Sequence, residues 1–446
     1  MTTTLDTLHD ALEKGDTTEM KELLEELHPS EIAHVLESLP VEQREILWEQ
    51  EELEQGEVLP YVGEAVRIEL MQHMAPQEVA AATAHMDIDD AVDLLQDLPD
   101  DRVEEIFQAM DTQHRHRLTQ VLFYPEDSAG GLMNIDVLTV RPDVSLDVVF
   151  RYLRLHARLP SKTDMLMVID RNNYYQGGLL LTNLLTHDPE ALVAEVMSTD
   201  IEAISPHLST LEVARLFEQR DFLSAPVVDE QGILVGRITI DDVVDVIRAE
   251  AEHNLMGQAG LDEADDMFAP VLTATRDRAL WLGINLATAF LAAWVIGLFE
   301  HTLEKVVAVA VLMPIVASMG GIAGTQTLTV VIRGMALGKI TDSNTPWLLR
   351  RELATGLING LMWALVVALI AIMWFSNFTL GMIIGCAIVI NLLFAAFSGM
   401  LIPLLLKKLS IDPALAGGVI LTTVTDVVGF FAFLSLATWW LLEPGG

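Results

Sequence analysis

The stretch Thr422-Thr423-Val424-Thr425-Asp426-Val427-Val428-Gly429-Phe430 sets one carboxylate, Asp426, among threonine hydroxyls. It stands inside an apolar run over residues 413–442, long enough to cross a bilayer as a helix, which needs about 20 residues. A charge at membrane depth costs about 2.5–3.5 kcal/mol on insertion scales. Asp426 therefore reads either as a structural acid, protonated or hydrogen-bonded, or as part of an ion or substrate path. The second is the usual place for an intramembrane ionisable group.

Working outward, four further apolar segments precede it, at about 279–299, 306–332, 353–375 and 380–406. Each has the length of a membrane-spanning helix. Arg276, Arg278, Arg333, Lys339, Arg350, Arg351, Lys407 and Lys408 fall on one side of these spans, and Lys305 on the other. Positive charge collects on the cytoplasmic side, so residues 1–276 are expected in the cytoplasm and the C-terminus outside. Trp281, Trp374, Trp439 and Trp440 lie at segment ends, as interfacial anchors do.

The second segment carries Met313-Pro314-Ile315-Val316-Ala317-Ser318-Met319-Gly320-Gly321-Ile322-Ala323-Gly324-Thr325-Gln326-Thr327. Proline with three glycines weakens a helix and frees carbonyls. Irregular backbone at this depth is tolerated where it is buried or lines a water-filled cavity. The competing reading is close helix packing through Gly320-x-x-x-Gly324. Gly356-x-x-x-Gly360 and Gly381-x-x-x-Gly385 read as packing alone.

The chain has 446 residues and a net charge of −38. Residues 277–446 hold eight acids and eight Lys/Arg, so the first 276, with 56 acids against 18 bases, carry the entire excess. Such acidity argues against a nucleic-acid partner. It suits a solvated surface or one that collects cations. One cysteine, Cys386, in an apolar segment excludes a disulfide framework. Met1–Asp16 is polar and does not read as a cleavable leader. No Walker A spacing, nucleophile–base pair or metal-ligand triad supports an enzyme.

Residues 1–130 read as an acidic α-superhelix of short helices punctuated by Pro29, Pro40, Pro60, Pro76 and Pro99. Pro29-Ser30-Glu31 and Pro76-Gln77-Glu78 read as helix starts. His114 and His116 read as surface residues. From 131 the pattern turns to short β-type runs, and it repeats. Met133, Asp136, Val140, Pro142 and Ser145 match Met197, Asp200, Ile204, Pro206 and Ser209; Val168-Ile169-Asp170 matches Val227-Val228-Asp229. Each copy reads as strand, helix, two strands around a turn, then helix, the copies spanning 131–193 and 194–247. This resembles a tandem CBS pair, a regulatory α/β module that often dimerises and often binds adenine nucleotides, which leaves ATP binding open. A helix then runs on from Asp241 to Gly257 and a linker to 275. Asp242 and Asp245 share one face, and this face reads either as a solvated surface or as a divalent-binding one.

Taken in order, the domains resemble the MgtE family of magnesium channels/transporters: an acidic α-helical N-domain (1–130), CBS domain 1 (131–193), CBS domain 2 (194–247), an acidic connecting helix and linker (241–275) and a five-helix transmembrane domain (276–446). The local matches are Tyr124-Pro125-Glu126-Asp127-Ser128-Ala129-Gly130-Gly131-Leu132-Met133, the Pro314…Gly320-Gly321-x-x-Gly324-x-Gln326 segment, and Asp412-Pro413-Ala414 followed by Thr422-Thr423-x-x-Asp426-x-x-Gly429. The resemblance implies a homodimer in the cell membrane, with an ion path on its two-fold axis and Asp426 at the ion site. Pro314, Gly320, Gly321, Gly324, Gln326, Thr422 and Thr425 would line that path. It also implies Mg²⁺ as both substrate and regulatory ligand, sensed by Asp89, Asp93, Asp242, Asp245, Glu250, Glu57 and Asp221, with Asp412 a further metal candidate.

The chain departs from the family pattern at Ile322, where many members have Asn, and at His253 and Asn254, where acids are common. Ser209 and Leu211 replace acidic companions of Asp221. Two rivals keep the architecture: a Co²⁺, Mn²⁺ or Ni²⁺ transporter, and a membrane-anchored CBS sensor without transport. Mg²⁺ demands oxygen ligands and sheds its waters reluctantly. Paired His, Cys or Met ligands for a softer metal are absent around Asp426.

Overall fold

Prolines open the helices of the acidic front because a first-turn residue has no intrahelical partner for its N–H. A computed structural model describes residues 7–8, 11–12, 17–50, 53–84, 86–156, 159–261 and 266–441. Most of the polar opening segment, and Leu442 at the end of the last apolar run, lie outside the described residues. The chain forms two compact units: Met1–Ala251 with Ala264–Pro270, and Glu252–Glu263 with Val271–Gly446.

Among the described residues from 17 on, the first unit opens with short α-helices: α1 (Thr17–Glu26), α2 (Pro29–Glu37), α3 (Val41–Trp48), α4 (Gln55–Val58), α5 (Glu64–His73), α6 (Pro76–Thr83), α7 (Ile88–Gln96), α8 (Asp100–Ala109) and α9 (Thr112–Leu122). Pro29 and Pro76 occupy first turns, while Pro40 and Pro99 are N-caps. Glu31 and Glu78 reach back to the cap N–H groups of His28 and Ala75, at 3.0 and 2.6 Å. Leu36, Leu47, Leu59, Met71, Val79, Val92, Leu95 and Leu118 build one core. Arg44 is fully buried in the unit. Its guanidinium donates to the Leu36 carbonyl (2.8 Å), Glu69 (2.7 Å) and Asp266 (2.8 Å), so the linker segment at Asp266 is held by the N-domain. His114, expected at the surface, is buried. It lies on the inward face of α9 with Leu118 and Val121, and burial lowers its pKa. His116 is exposed.

The repeat gives two α/β copies. The first has β1 (Thr139–Val140), α10 (Leu146–Leu155), β2 (Met165–Ile169), β3 (Tyr175–Leu180) and α11 (Leu181–Thr186), with β1 parallel and β3 antiparallel to β2. The short α12 (Val193–Val196) leads to the second copy, which has α13 (Thr210–Arg220), β4 (Ser224–Val228) and β5 (Leu234–Thr239). There the first strand shrinks to one parallel bridge, Ile204 to Val227. Both hairpins turn the same way: Asp170 Oδ1 accepts from the N–H groups of Asn172 and Tyr174, and Asp229 Oδ1 from those of Gln231 and Ile233. The first copy has its own core around Val149, Leu166, Val168 and Leu179. The second shares the N-domain core through Val213, Phe217, Val227 and Ile238. The segment before the first copy belongs with the second: Ala129 and Gly130 donate to Leu208 and Pro206, and Asn134 pairs with Arg237. A Cβ on Gly130 would strike the Tyr124 ring at 2.4 Å, which explains the glycine there.

From β5 the chain enters α14 (Ile240–Gly257) without a loop. The second unit then has α15 (Val271–Gly297), the short α16 (Glu300–Lys305), α17 (Val307–Ala336), α18 (Thr345–Phe375), α19 (Phe378–Lys408) and α20 (Pro413–Leu441). The five long ones are long and apolar enough to span a membrane. Helix α19 is central and packs on α17, α18 and α20. It buries Ile383, Ile384, Ala387, Ile388, Asn391, Leu392 and Ala395.

The expectation of irregular backbone in the second segment is overturned: α17 is helical through all 30 residues, with Pro314 inside it. Proline removes one N–H and crowds the carbonyl four residues back. The glycines offset this by letting helices approach. Gly320 leaves no room for a Cβ beside Asn391 (2.2 Å), and Gly324 little beside Leu421 (3.0 Å). Gly356 and Gly381 are packing positions too, against Ala396 and Ile372.

Candidate functional site

Asp426 lies near the middle of α20 and is partly exposed, although the turn before it is closed by buried Thr425. Helical spacing puts Thr422 and Asp426 on one face. Thr422 donates its hydroxyl to the Gly418 carbonyl (3.0 Å), Thr423 to Val419 (2.7 Å) and Thr425 to Thr422 (3.0 Å). Their protons are committed to their own helix, so the hydroxyl oxygens of Thr422 and Thr423 offer lone pairs outward, while Thr425 is buried. That is a polar, acceptor-rich surface on an apolar helix.

The residues expected to line a path divide. Pro314, Gln326 and Thr422 are exposed and Gly321 is partly so. Gly320, Gly324 and Thr425 are buried, and the two glycines seat α17 against Asn391 and Leu421. Ile322, noted above as a departure from the family pattern, is exposed on α17, so an apolar side chain faces outward there.

Asn391 escaped sequence reasoning. It is 0 % exposed at mid-helix in α19. Its Nδ2 donates to the Val316 carbonyl at 2.8 Å, while its Oδ1 has no hydrogen-bond partner among the described residues. The amide is clamped between Gly320 and Gly429, whose added Cβ atoms would lie 2.2 and 2.6 Å from Nδ2. One side chain thereby joins α17, α19 and α20 one turn from Asp426. A polar residue in an apolar segment was the available signal. Glu352 was missed likewise: it is buried in α18, within 3.3 Å of the Thr327 hydroxyl and of Arg351.

The second assembly is acidic. Helix α7 and the first two turns of α14 bring together Asp89, Asp90, Asp93, Asp241, Asp242 and Asp245. Burial, then the charges of Asp242, Asp90 and Asp87, raises the pKa of Asp89 well above the usual carboxylate range. Burial also pushes Asp93 up to about 7 against the pull of Arg67, Asp242 up to about 7 with the help of Asp241, and Asp90 up to about 6. Asp245 is raised too, by burial first. One oxygen from each of Asp87, Asp89 and Asp90 can be chosen so that all lie within 4.8 Å of one another, a spacing that fits a shared cation. Asn134 Nδ2 donates to Asp89 (3.0 Å) and the Thr239 hydroxyl to Asp242 (3.1 Å). Arg67 beside Asp93 and Lys162 beside Asp241 offset only part of the repulsion among these carboxylates, and a divalent ion is suited to relieve the rest.

Among the remaining sensor candidates, Glu57 is exposed on α4 and is not among the charges acting on this group. Asp221 ends α13 in the left-handed region, with φ 52°, a position that aspartate tolerates better than most residues. Ser209, in place of an acid, caps α13 through the Glu212 N–H. Glu250 is partly buried on α14. Asp412 caps α20, accepting from Ala414 (2.9 Å) and Leu415 (3.0 Å), and faces His253 Nε2 at 3.1 Å. Its oxygens thus already have protein partners.

Comparison with known proteins gives three family matches: "Divalent cation transporter" (MgtE) over residues 313–436, "MgtE intracellular N domain" over 27–127 and "CBS domain" over 193–249. The magnesium transporter MgtE of Thermus thermophilus is 30% identical, over 96% of this chain and 97% of its own. The magnesium transporter MgtE of Bacillus subtilis is 29% identical, over 96% and 95%. Among solved structures, the cytosolic domain of the Mg²⁺ channel MgtE in complex with ATP aligns with a TM-score of 0.45 and 30% identity, covering 54% of this chain and 99% of that one. With helical N-domain, CBS copies and five apolar helices in this order, the chain belongs to the MgtE family of divalent cation transporters.

Proposed function

We propose that the protein admits Mg²⁺ to the cytosol as a homodimer in the cell membrane and closes when cytosolic Mg²⁺ occupies its acidic cluster. The observation that carries the transport reading is the partly exposed Asp426 on a membrane-length helix. A carboxylate on the outside of a protomer at that depth needs water, a cation or a second protomer. A two-fold axis along α17 and α20 supplies all three, bringing two copies of Asp426 together. Paired carboxylates favour a divalent ion over Na⁺ or K⁺. One acid per subunit with hydroxyl and carbonyl oxygens suits an ion that keeps most of its water. Pro314, Gly321, Gln326, Thr422 and Asp426 are the proposed path residues. Gly320, Gly324 and Thr425 set the helix spacing behind them.

Asp89, Asp93, Asp242 and Asp245 are the proposed sensor ligands; Glu250, Glu57 and Asp221 extend the same acidic surfaces. Mg²⁺ shared between α7 and α14 holds the N-domain against the connecting helix. Closure requires that the ion bind the compact form more tightly than the open one. The membrane potential drives entry and no covalent step is involved, so the protein is not an enzyme. The excess of Lys and Arg between the spans supports a cytoplasmic N-domain and an external C-terminus. ATP is a proposed regulatory ligand of the CBS pair, to be tested by calorimetry with and without Mg²⁺.

The test is Mg²⁺ flux in proteoliposomes. Asp426→Ala should abolish it while the folded dimer persists. Undiminished flux refutes the site. Competition by Co²⁺, Mn²⁺ and Ni²⁺ in the same assay decides the transported ion, and the absence of any ion flux in the wild type would leave the anchored-sensor reading.

A further inference from the structure

The acidic cluster already contains a cation. Lys162, in the loop between α10 and β2, pairs its ammonium with Asp241 at the start of α14. Its charge also acts on Asp90, Asp242 and Asp245. The loop is held so that this side chain meets the acids. Buried Arg237, on β5, donates to the Ser161 carbonyl at 2.6 Å. The Ser161 hydroxyl bonds to Asp87, and Thr163 closes the turn on the Pro160 carbonyl at 2.7 Å. Asp164 is held by the Ser224 hydroxyl at 2.5 Å. Lys162 itself sits in the left-handed region at φ 56°, a conformation uncommon for a long side chain. A loop fixed from the N-domain and from both CBS copies delivers one ammonium to the group of carboxylates proposed to bind Mg²⁺.

We propose that Lys162 is a tethered competitor of the regulatory cation: its ammonium occupies the acidic cluster at low Mg²⁺ and must yield as the ion binds. This inference rests on the sensing role proposed above and names what sets its threshold. The side chain of Lys162 is 55 % exposed, so it can swing into water without unfolding its loop. An exposed lysine–carboxylate pair contributes little to stability, so the ammonium can be displaced. Its charge still opposes a divalent ion. At ~6 Å in a water-like medium, one ammonium weakens divalent binding by about tenfold.

The experiment uses the full chain in detergent, chymotrypsin digestion and a Mg²⁺ titration, with calorimetry in parallel. Chymotrypsin does not cut at the residues exchanged. Lys162→Gln should move the Mg²⁺ midpoint about tenfold lower, and Lys162→Arg should keep it near wild type. Arg151→Gln removes a cation that pairs with Asp147 in the same CBS copy and should leave the midpoint in place. A wild type that responds to Mg²⁺ together with an unmoved or raised Lys162→Gln midpoint overturns the inference and spares the sensor. An equal shift in Arg151→Gln also overturns it, by making the effect one of net charge. A wild type without any response to Mg²⁺ overturns the sensing reading and the inference together.

Discussion

Protons and Mg²⁺ should compete for the acidic cluster near neutral pH, where most carboxylates no longer titrate. The perturbation is pH between 8 and 6 in the full chain. Asp93 and Asp242 are each pushed up to about 7, by burial first. If an ion needs both ionised, each contributes a factor of 1 + 10^(7 − pH) to the apparent dissociation constant. Binding then weakens about threefold from pH 8 to 7 and about 30-fold from pH 7 to 6. Proton release per ion should be about 0.2 at pH 8, about 1 at pH 7 and about 1.8 at pH 6. The same shifts predict an opposite trend without Mg²⁺. Carboxylates whose folded pKa is raised bind more protons folded than unfolded, so the stability they contribute is present below the ordinary carboxylate range and is lost as pH rises towards 7. That loss is on the order of 4 kcal/mol per group for a three-unit shift. The assay is calorimetry in two buffers of different ionisation enthalpy, with thermal melts alongside. A dissociation constant flat between pH 6 and 8, with no proton release, would refute the geometry that places these acids together.

Two further perturbations test the packing. Gly429→Ala puts a Cβ 2.6 Å from Asn391 Nδ2, so it should destabilise the membrane unit by about 1–3 kcal/mol through overpacking. Asn391→Ala should partly rescue it in a double-mutant cycle; strictly additive melting shifts in detergent would refute the three-helix clamp. Arg44→Ala strands Glu69 and Asp266 beside a buried gap, at a cost of about 3–5 kcal/mol. Urea denaturation should show that loss, and an unchanged midpoint would mean that the linker is not held there.

Length and hydropathy determined the five spans, since a bilayer sets a minimum apolar run whatever the packing. Proline positions marked the N-domain helices because the fixed ring and missing N–H act locally. The internal repeat gave the paired α/β copies down to matching Asp170 and Asp229 turns. A lone carboxylate in an apolar helix marked Asp426 for the same local reason. Tertiary structure alone decided the rest. The Gly-rich segment remained a helix because Asn391 and Leu421 fill the space its glycines leave. His114 went inside because α9 turns that face to the core. Asp87 and Asp90 joined the acidic cluster, and Lys162 entered it, through contacts between residues up to 79 positions apart. Local preferences act over one or two turns and are written in the residues themselves. Which charges meet depends on how distant segments are held, and here a buried arginine on β5 holds the loop that brings Lys162 to Asp241.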